Sequence, residues 1–440
     1  MSTESQNEKE RNEMIVKRID FEHGSIPSNI LNAAIPMLVA QLLSLLYNII
    51  DRIYIARIPH IGTTALGAVG LCFPIIVIIT AFSNLFGSGG APLFSIRRGE
   101  NNSRKASEIM NTSYTMVCGG AIVLMVIGFL FARPILRLFG ASESALVYAY
   151  PYLMIYLVGT LPSMISTGMN SFINAQGYAM TGMTSVAIGA VANCILDPVF
   201  IFVFSLGIRG AAIATVISQT LSAAFVLYFL KKRSELNVRF LTRSELSRCT
   251  ETAKNIVSLG TAGFIMQLTN SLVTICCNNV LSVTGGDLYI SVMTIVSSIR
   301  QIIDTPIHAI TEGSSPVISY NYGARRPKRV FQSWLTMSVM AILYTLLAWG
   351  VILFAPRFLI GIFSSDQALI TDAIPALKLY FGAFVFQALQ YVGQTMFKSL
   401  GKKKFAIFFS LLRKVIIVVP LTYILPYLFH MGSDGVFLAE

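Results

Sequence analysis

The sequence predicts an all-α polytopic membrane protein made of two six-helix bundles. Only 12% of its 440 residues are charged and 54% are hydrophobic, whereas soluble domains carry about a quarter charged residues. Apolar runs of about 20 residues recur along the chain, and landmark residues of the first half return at a fixed offset in the second half. These observations exclude an ordinary soluble enzyme, a disordered chain and a secreted disulfide scaffold.

Eleven apolar segments are long enough to cross a bilayer as helices, which takes about 20 residues each. These predicted spans cover residues 29–56, 63–92, 108–132, 146–176, 181–205, 209–230, 255–283, 287–320, 328–354, 367–397 and 404–429. A twelfth apolar segment begins near Gly435, and the chain ends at Glu440. The expectation is therefore a twelve-helix plan that is truncated at the start of its last helix.

Lysine and arginine are distributed unevenly over the polar segments, which predicts the orientation of the chain. The linker 231–254 alone contains seven of them. The segments on the opposite side together contain five, namely Arg57, Arg133, Arg137, Arg209 and Arg357. The positive-inside rule predicts that residues 1–27 are a cytoplasmic tail, and their mixed charges without an apolar run argue against a signal peptide. It also places Lys398 in a cytoplasmic segment, and Arg413 and Lys414 are predicted to snorkel to the cytoplasmic face.

The two halves of the sequence repeat each other. Pro92, Ser95 and Gly99 return 224 residues later, and further landmarks share this offset. The further pairs are Gly62 with Gly286, Phe139 with Phe363, Pro151 with Pro375, Tyr156 with Tyr380 and Gly177 with Gly401. Each repeat has six helices, an even number, so both bundles enter the membrane from the same side. The sequence thus predicts bundles 28–230 and 255–440 related by a pseudo-twofold axis along the membrane normal, with a cavity between them.

Three polar side chains lie deep in the predicted spans of the first half. Asp51 precedes an arginine but sits well inside the first apolar run, so it either pairs with that base or faces a cavity. Asn193 and Asp197 are four residues apart and share one helix face. Their oxygen atoms either bind a cation or a proton, or they cap or kink the helix before Pro198. The repeat-related position of Asp197 is Val419, so this carboxylate is present in one half only.

The eighth span carries a polar stripe whose members are four residues apart and share one slowly rotating helix face. These residues are Arg300, Asp304, His308 and Glu312. The repeat-related positions are Ile76, Thr80, Asn84 and Ser88, so this face is expected to border water in both bundles. Arg300 and Asp304 form either an intrahelical ion pair or a functional site. His308 either titrates or is a hydrogen-bonded structural residue, and Glu312 either acts in the cavity or meets solvent at the helix end.

Short motifs follow one another in a characteristic order along the chain. Pro36 lies fifteen residues before Asp51 in the first span, and Tyr152-Leu-Met-Ile lies in the fourth. The fifth span contains Asn193-Cys-Ile-Leu-Asp197-Pro198, and Gly210-Ala-Ala-Ile-Ala-Thr215 opens the sixth. In this order, spacing and duplication they resemble the multidrug and toxic-compound extrusion (MATE) family over essentially the whole chain. The resemblance is greatest to the bacterial branches related to the DNA-damage-inducible and staphylococcal multidrug exporters, and it implies a protein of the bacterial inner membrane.

The resemblance implies a secondary transporter that exports organic cations or amphipathic drugs in antiport with H⁺ or Na⁺. It implies coupling carboxylates at Asp51 and Asp197, which are also the candidate Na⁺ ligands. Polar support at the substrate cavity is implied for Tyr152, Asn193 and Thr215. Bending of the first span is implied at Pro36. The expected partners are the small-molecule substrate and the lipid bilayer, and we expect a monomer without a cofactor, catalytic residues or a nucleic-acid partner.

Two other functions remain as alternatives. A lipid-linked oligosaccharide flippase of a related superfamily would share the two-bundle plan but would favour a basic cavity for pyrophosphate, whereas this chain has acids at Asp51, Asp197 and Asp304. A membrane-embedded enzyme is less favoured, because the sequence has no HExxH, GxSxG or Walker-type motif. The sequence therefore predicts a transporter and not an enzyme.

Overall fold

The regular secondary structure is helical throughout the part of the chain that the structure describes. The computed structural model describes residues 18–59, 61–363 and 367–440. The helices of the first half are α1 (Ile26–Ala56), α2 (Gly62–Gly99), α3 (Ser103–Leu138), α4 (Glu143–Val158), α5 (Thr160–Ala175), α6 (Ala179–Pro198) and α7 (Ile208–Lys232). The linker contains α8 (Arg243–Arg248). The helices of the second half are α9 (Thr250–Thr284), α10 (Gly286–Gly323), α11 (Pro327–Phe354), α12 (Pro356–Gly361), α13 (Gln367–Tyr380), α14 (Phe384–Ser399), α15 (Lys403–Leu411), α16 (Val419–Tyr427) and α17 (Gly432–Ala439).

These helices confirm the predicted fold class. Eight helical stretches are long and apolar enough to cross a membrane, and two bent pairs raise the number to ten within the described residues. One of the eight extends α6 to residue 203, and another joins α15 and α16 through the π-helical residues 412–418. The remaining predicted span is α10, which is 38 residues long. It is absent from the ten because the polar stripe that begins at Arg300 interrupts its apolar run. Most of residues 1–27, the predicted tail, lies outside the described residues.

Two predicted spans, 146–176 and 367–397, are not single helices. The fourth span divides into α4 and α5, which are bent by 54°, and the tenth divides into α13 and α14, bent by 48°. Helices α5 and α14 begin at Thr160 and Phe384, which the 224-residue offset relates. Gly159 lies at the first break, where a Cβ atom would lie 2.7 Å from Cγ2 of Val216, so α7 packs too close for a side chain there. The repeat therefore duplicates the bends as well as the sequence landmarks.

The apolar side chains of the long helices point largely outwards. In the eight spanning helices, no more than 39% of the most apolar 18-residue window is buried inside the molecule. Leu130 of α3 and Leu347 of α11, for example, are 69% and 68% exposed. Such an extensive apolar surface requires hydrocarbon around it, and helices satisfy their own backbone hydrogen bonds there. The chain is therefore a multi-pass membrane protein.

We call helices α1–α7 the first lobe and helices α9–α17 the second lobe. The two lobes touch through backbone on the side that carries the linker, which we call the linker side. A Cβ atom on Gly99 would lie 2.0 Å from the carbonyl oxygen of Tyr320, and one on Gly323 would lie 2.0 Å from that of Ile96. Gly99 and Gly323 are related by the repeat, so the contact is pseudo-symmetric. Further helix crossings at small residues join Ala34 with Gly313 and Gly89 with Gly260. Side chains at these positions would separate the lobes.

Residues 18–25 cross the linker side from one lobe to the other. The amide of Ile19 donates a hydrogen bond of 2.9 Å to the carbonyl of Gly177 in the first half. Glu22 pairs with Arg326 of the second half at 2.5 Å. This segment therefore reinforces the contact between the lobes on the side where the glycines meet.

Candidate functional site

A cavity of about 780 Å³ lies between the two lobes, and both lobes line it. Two helices related by the repeat, α2 and α10, contribute polar side chains to its wall. From α2 these are Thr80, Asn84 and Ser88, and from α10 they are Asp304, His308 and Glu312. The polar faces of both helices thus border the same water-accessible space. A cavity of this size matches the range of small-molecule sites, about 300–1,000 Å³.

An acidic pair lies inside the first bundle, where Asp51 of α1 meets Asp197 of α6. The two carboxyl groups are within hydrogen-bond contact of each other. Asp197 is fully buried, and Asn193, one turn earlier, donates from Nδ2 to Asp197 Oδ1 at 3.2 Å. The guanidinium of Arg52 instead lies over the ring of Phe73, 5.5 Å from its centroid. Arg52 remains within electrostatic range of Asp51. Asp51 is not among the residues that line the cavity, and its role as a coupling carboxylate stays a prediction.

Three oxygen atoms of this pair and its neighbour are buried without a hydrogen-bond donor among the described residues. They are Asp51 Oδ1, Asp197 Oδ2 and Asn193 Oδ1. Unsatisfied buried oxygens are costly, and two carboxylates in contact repel each other when both are ionised. A proton or a small hard cation relieves both penalties, since hard cations take oxygen ligands. The residues present therefore fit a coupling ion, H⁺ or Na⁺.

The other residues that the resemblance implies also reach this pair. Asn193 Nδ2 of α6 lies 3.5 Å from Thr215 Oγ1 of α7, which accepts from it. Tyr152 of α4 is buried and lies within electrostatic range of both Asp51 and Asp197. Four helices that are separate in the sequence thus bring the five predicted side chains together. Asn193 and Thr215 also line the cavity, so they form the wall between it and the two carboxyl groups.

Two further polar residues at this wall were missed by the sequence analysis. Gln219 Nε2 donates to the hydroxyl of Tyr156 at 3.4 Å, and both residues line the cavity. Tyr156 follows Tyr152 by four residues, and Gln219 follows Thr215 by four. Residues four apart share a helix face, so extending each predicted position by one turn would have found them.

Pro36 is buried in α1, and the helix continues through it from Ile26 to Ala56. A proline in a helix lacks the amide donor for one intrahelical hydrogen bond and leaves a point of easy bending. Its role as a hinge remains a prediction.

The polar stripe of α10 begins with an ion pair inside the second bundle. Arg300 Nε lies 3.2 Å from Asp304 Oδ2, which is the intrahelical alternative that the spacing allowed. Gln387 donates to Asp304 at 3.3 Å. Arg300 also donates to the hydroxyl of Tyr380 at 2.5 Å and pairs with Glu440 at 3.1 Å. These contacts connect α10 to α13, α14 and the residue that follows α17.

The prediction that Arg413 and Lys414 snorkel to the cytoplasmic face is wrong. Lys414 is only 6% exposed, and its Nζ donates to Glu440 Oε1 and Oε2 at 2.7 and 2.9 Å. Arg413 donates to Gln390 at 2.9 Å and lies 3.4 Å from Glu440. The buried carboxylate of Glu440 balances the positive charges of Arg413 and Lys414, so both side chains can stay inside the protein. An isolated base would have to reach water.

The cavity wall of the second lobe holds the rest of the stripe and a lysine. His308 packs edge-on against Tyr391, with ring centroids 4.7 Å apart. Glu312 is exposed and lines the cavity eleven residues before the end of α10, so it meets the solvent of the cavity. Lys398 is on the cavity wall, where its Nζ donates to Ser88 Oγ at 2.5 Å. Lys398 thus lies on the wall of the cavity, one residue before the end of α14, and the side of the membrane on which it lies stays a prediction.

Arg300→Gln is expected to destabilise the folded protein, because Asp304 and Glu440 would lose a buried counter-charge. Removing one partner of a buried ion pair costs about 3–5 kcal/mol. The measurement is the thermal unfolding midpoint of the detergent-solubilised protein. Adding Asp304→Asn removes both charges of the pair and should recover part of the loss in a double-mutant cycle. The Asp304→Asn variant alone completes the cycle, and if the losses of the two single variants simply add up in the double variant, the ion pair contributes no coupling energy.

The MatE family model matches residues 36–199 and 263–424, which together are well over half of the chain. The chain is also 26% identical over 422 residues to "Multidrug export protein MepA" of Staphylococcus saprophyticus subsp. saprophyticus. That alignment covers 94% of this chain and 90% of the relative.

Two solved structures share the fold. A "Crystal structure of MATE in complex with MaL6" superposes with a TM-score of 0.88 at 24% identity, covering 96% of this chain and 94% of the other. An "Outward-facing conformation of a multidrug resistance MATE family transporter of the MOP superfamily" gives 0.87 at 24% identity, covering 96% and 93%. The two-lobe architecture and the family match in both halves agree with the resemblance that the motifs carry. The chain belongs to the MatE family of multidrug and toxic-compound extrusion transporters.

Proposed function

We propose that this protein exports amphipathic organic cations in exchange for inward movement of H⁺ or Na⁺. The observation that carries the proposal is the buried pair of Asp51 and Asp197, with unsatisfied oxygens, directly behind the wall of the cavity between the lobes. An ion site and a drug-sized cavity that share a wall can influence each other through the residues of that wall. The multidrug export relatives support a small-molecule substrate.

The coupling follows from the charge of the acidic pair. When an ion neutralises Asp51 and Asp197, their repulsion falls, and α1 can pack closer to α6 and α7. A bend at Pro36 would let one end of α1 move while the other stays in place. The cavity then shrinks on the side of the first lobe and the substrate loses affinity. Exchange results because the ion and the substrate favour different states of one equilibrium.

The charges that face the cavity favour cations over anionic lipid-linked sugars. Asp304, which is paired with Arg300, and Glu312, which has no ion-pair partner among the described residues, supply carboxylates to the wall, and Lys398 supplies one base. Met37 and Phe73 contribute apolar surface of the kind that binds drug-like molecules. A flippase for pyrophosphate-linked sugars would require the opposite balance of charge, so we do not favour that alternative.

We assign the linker side to the cytoplasm and infer an outward-facing state. The basic residues of 231–254 meet the positive-inside rule only in this orientation. The glycine contacts between Gly99 and Gly323 and their partners, together with residues 18–25, join the lobes on that side. With the lobes joined there, the cavity is accessible from the outer side.

The test of the proposed function is transport of ethidium into everted membrane vesicles that contain the full chain. An inside-acidic pH gradient and an inside-high Na⁺ gradient are imposed separately. We expect one of the imposed gradients to drive ethidium accumulation against the concentration gradient of ethidium. The reason is that transport of the drug is coupled to binding and release of the ion by the acidic pair. Equal accumulation with and without both gradients would contradict antiport.

A topology prediction follows from the exposed position of Ser244 in the linker. In a Cys249→Ala background, a Ser244→Cys variant should resist an impermeant thiol reagent added to intact cells. The same residue should react after the cells are permeabilised, because the linker is then accessible. Ready labelling in intact cells would reverse the orientation of the chain.

A further inference from the structure

Glu312 presents its carboxylate to the cavity without an ion-pair partner among the described residues. Its neighbour is an amide, since Gln41 Nε2 of α1 donates to Glu312 Oε2 at 3.2 Å. Lys398 lies within electrostatic range of Glu312, but its Nζ donates to Ser88 Oγ. Glu312 is eleven residues before the end of α10, which is roughly 16 Å along a helix. The side chain is nevertheless exposed, so the carboxylate is accessible from the cavity.

The other acids of the membrane interior already have partners. Asp304 pairs with Arg300, and Glu440 is held by Arg300 and by Lys414. Asp51 and Asp197 contact each other behind the cavity wall. Glu312 differs from all of these because its charge faces open space in the cavity. It is therefore the acid that a bound molecule can reach without breaking an ion pair.

We propose that Glu312 is the counter-ion for the positive charge of the organic cation in the cavity. The substrate and the coupling ion are then held by acids of different lobes: Glu312 of the second lobe binds the drug, and Asp51 with Asp197 in the first binds the ion. This assignment rests on the proposed export of cations. It makes Glu312 a determinant of specificity, because a carboxylate facing a cavity selects for positive charge.

Lys398 supplies an opposing effect of predictable sign. Its ammonium group is on the same cavity wall and within electrostatic range of Glu312, so it weakens the attraction that Glu312 exerts on a cation. Removing the charge of Lys398 should therefore tighten cation binding, while removing that of Glu312 should weaken it. Damage to the structure would weaken binding in both variants.

The test is equilibrium binding of ethidium to the purified full chain in lipid nanodiscs. We expect Glu312→Gln to weaken binding at least about tenfold and Lys398→Gln to tighten it about threefold or more, as charges at a few ångströms in a protein site predict. Glu312→Asp keeps the charge and should retain most of the affinity. The control is Glu251→Gln, which removes an exposed carboxylate at the start of α9 and should leave the affinity unchanged.

The dependence of ethidium binding on H⁺ or Na⁺ separates this assignment from the proposed function. It should persist in Glu312→Gln, because the acidic pair is intact, and should be lost in Asp197→Asn. Binding by Glu312→Gln within twofold of the wild type would overturn the assignment, and so would weaker binding in both the Glu312→Gln and Lys398→Gln variants. If the wild type itself does not bind ethidium, the proposed function fails, and the role of Glu312 fails with it.

Discussion

Asp197→Asn should abolish gradient-driven efflux while leaving the fold intact. The amide has nearly the shape of the carboxyl group, so the buried contact with Asn193 can be kept. The amide cannot, however, take up a proton or balance the charge of a cation. The pair of residues 51 and 197 would then no longer bind and release the coupling ion. We expect the transport rate to fall at least about a hundredfold, which corresponds to about 2.7 kcal/mol of lost coupling. Ethidium efflux from cells expressing matched amounts of protein is the measurement.

The control for this variant is Asp434→Asn, which makes the same chemical change at an exposed position in the first turn of α17. It should transport at the rate of the wild type. Thermal unfolding of the Asp197→Asn variant should occur near that of the wild type, which would exclude misfolding as the cause. Undiminished efflux by a well-expressed Asp197→Asn variant would remove Asp197 from the coupling site.

Gly323→Ala should block transport by keeping the lobes apart on the linker side. The new Cβ would lie 2.0 Å from the carbonyl oxygen of Ile96, a distance that requires the backbone of α2 or α10 to shift. The state in which this side is closed would therefore lose stability relative to the state in which it is open. Because alternating access needs both states, we expect efflux to fall at least about tenfold, a loss of about 1.4 kcal/mol.

Two further variants check this prediction. Gly99→Ala alters the repeat-related contact and should cause a similar loss, and the double variant should lose little more, because both changes disrupt one contact. Gly119→Ala is the matched control, since a Cβ there meets nothing within 4 Å. Normal efflux by a folded Gly323→Ala variant would show that the lobes do not have to meet at these glycines.

The candidate site could be predicted in part because intramembrane acids are conspicuous in a sequence. A carboxylate inside an apolar run is costly, so Asp51 and Asp197 were identifiable one by one. The spacing of Asn193 and Asp197 also predicted their shared helix face. That Asp51 and Asp197 would contact each other could not be predicted from residue patterns, because it depends on how α1 packs against α6.

The membrane class, the approximate bounds of the spans, the duplication and the family were determined by the sequence itself. These features follow from local hydropathy and from similarity between positions at a fixed offset, which need no knowledge of packing. The partners of the charged residues were decided only in the tertiary structure. Lys414 is buried because Glu440 meets it, and Lys398 lies on the cavity wall because α14 faces α2. A sequence records the cost of placing a charge in a membrane, but which helix faces meet to compensate that cost is set by the packing of whole bundles.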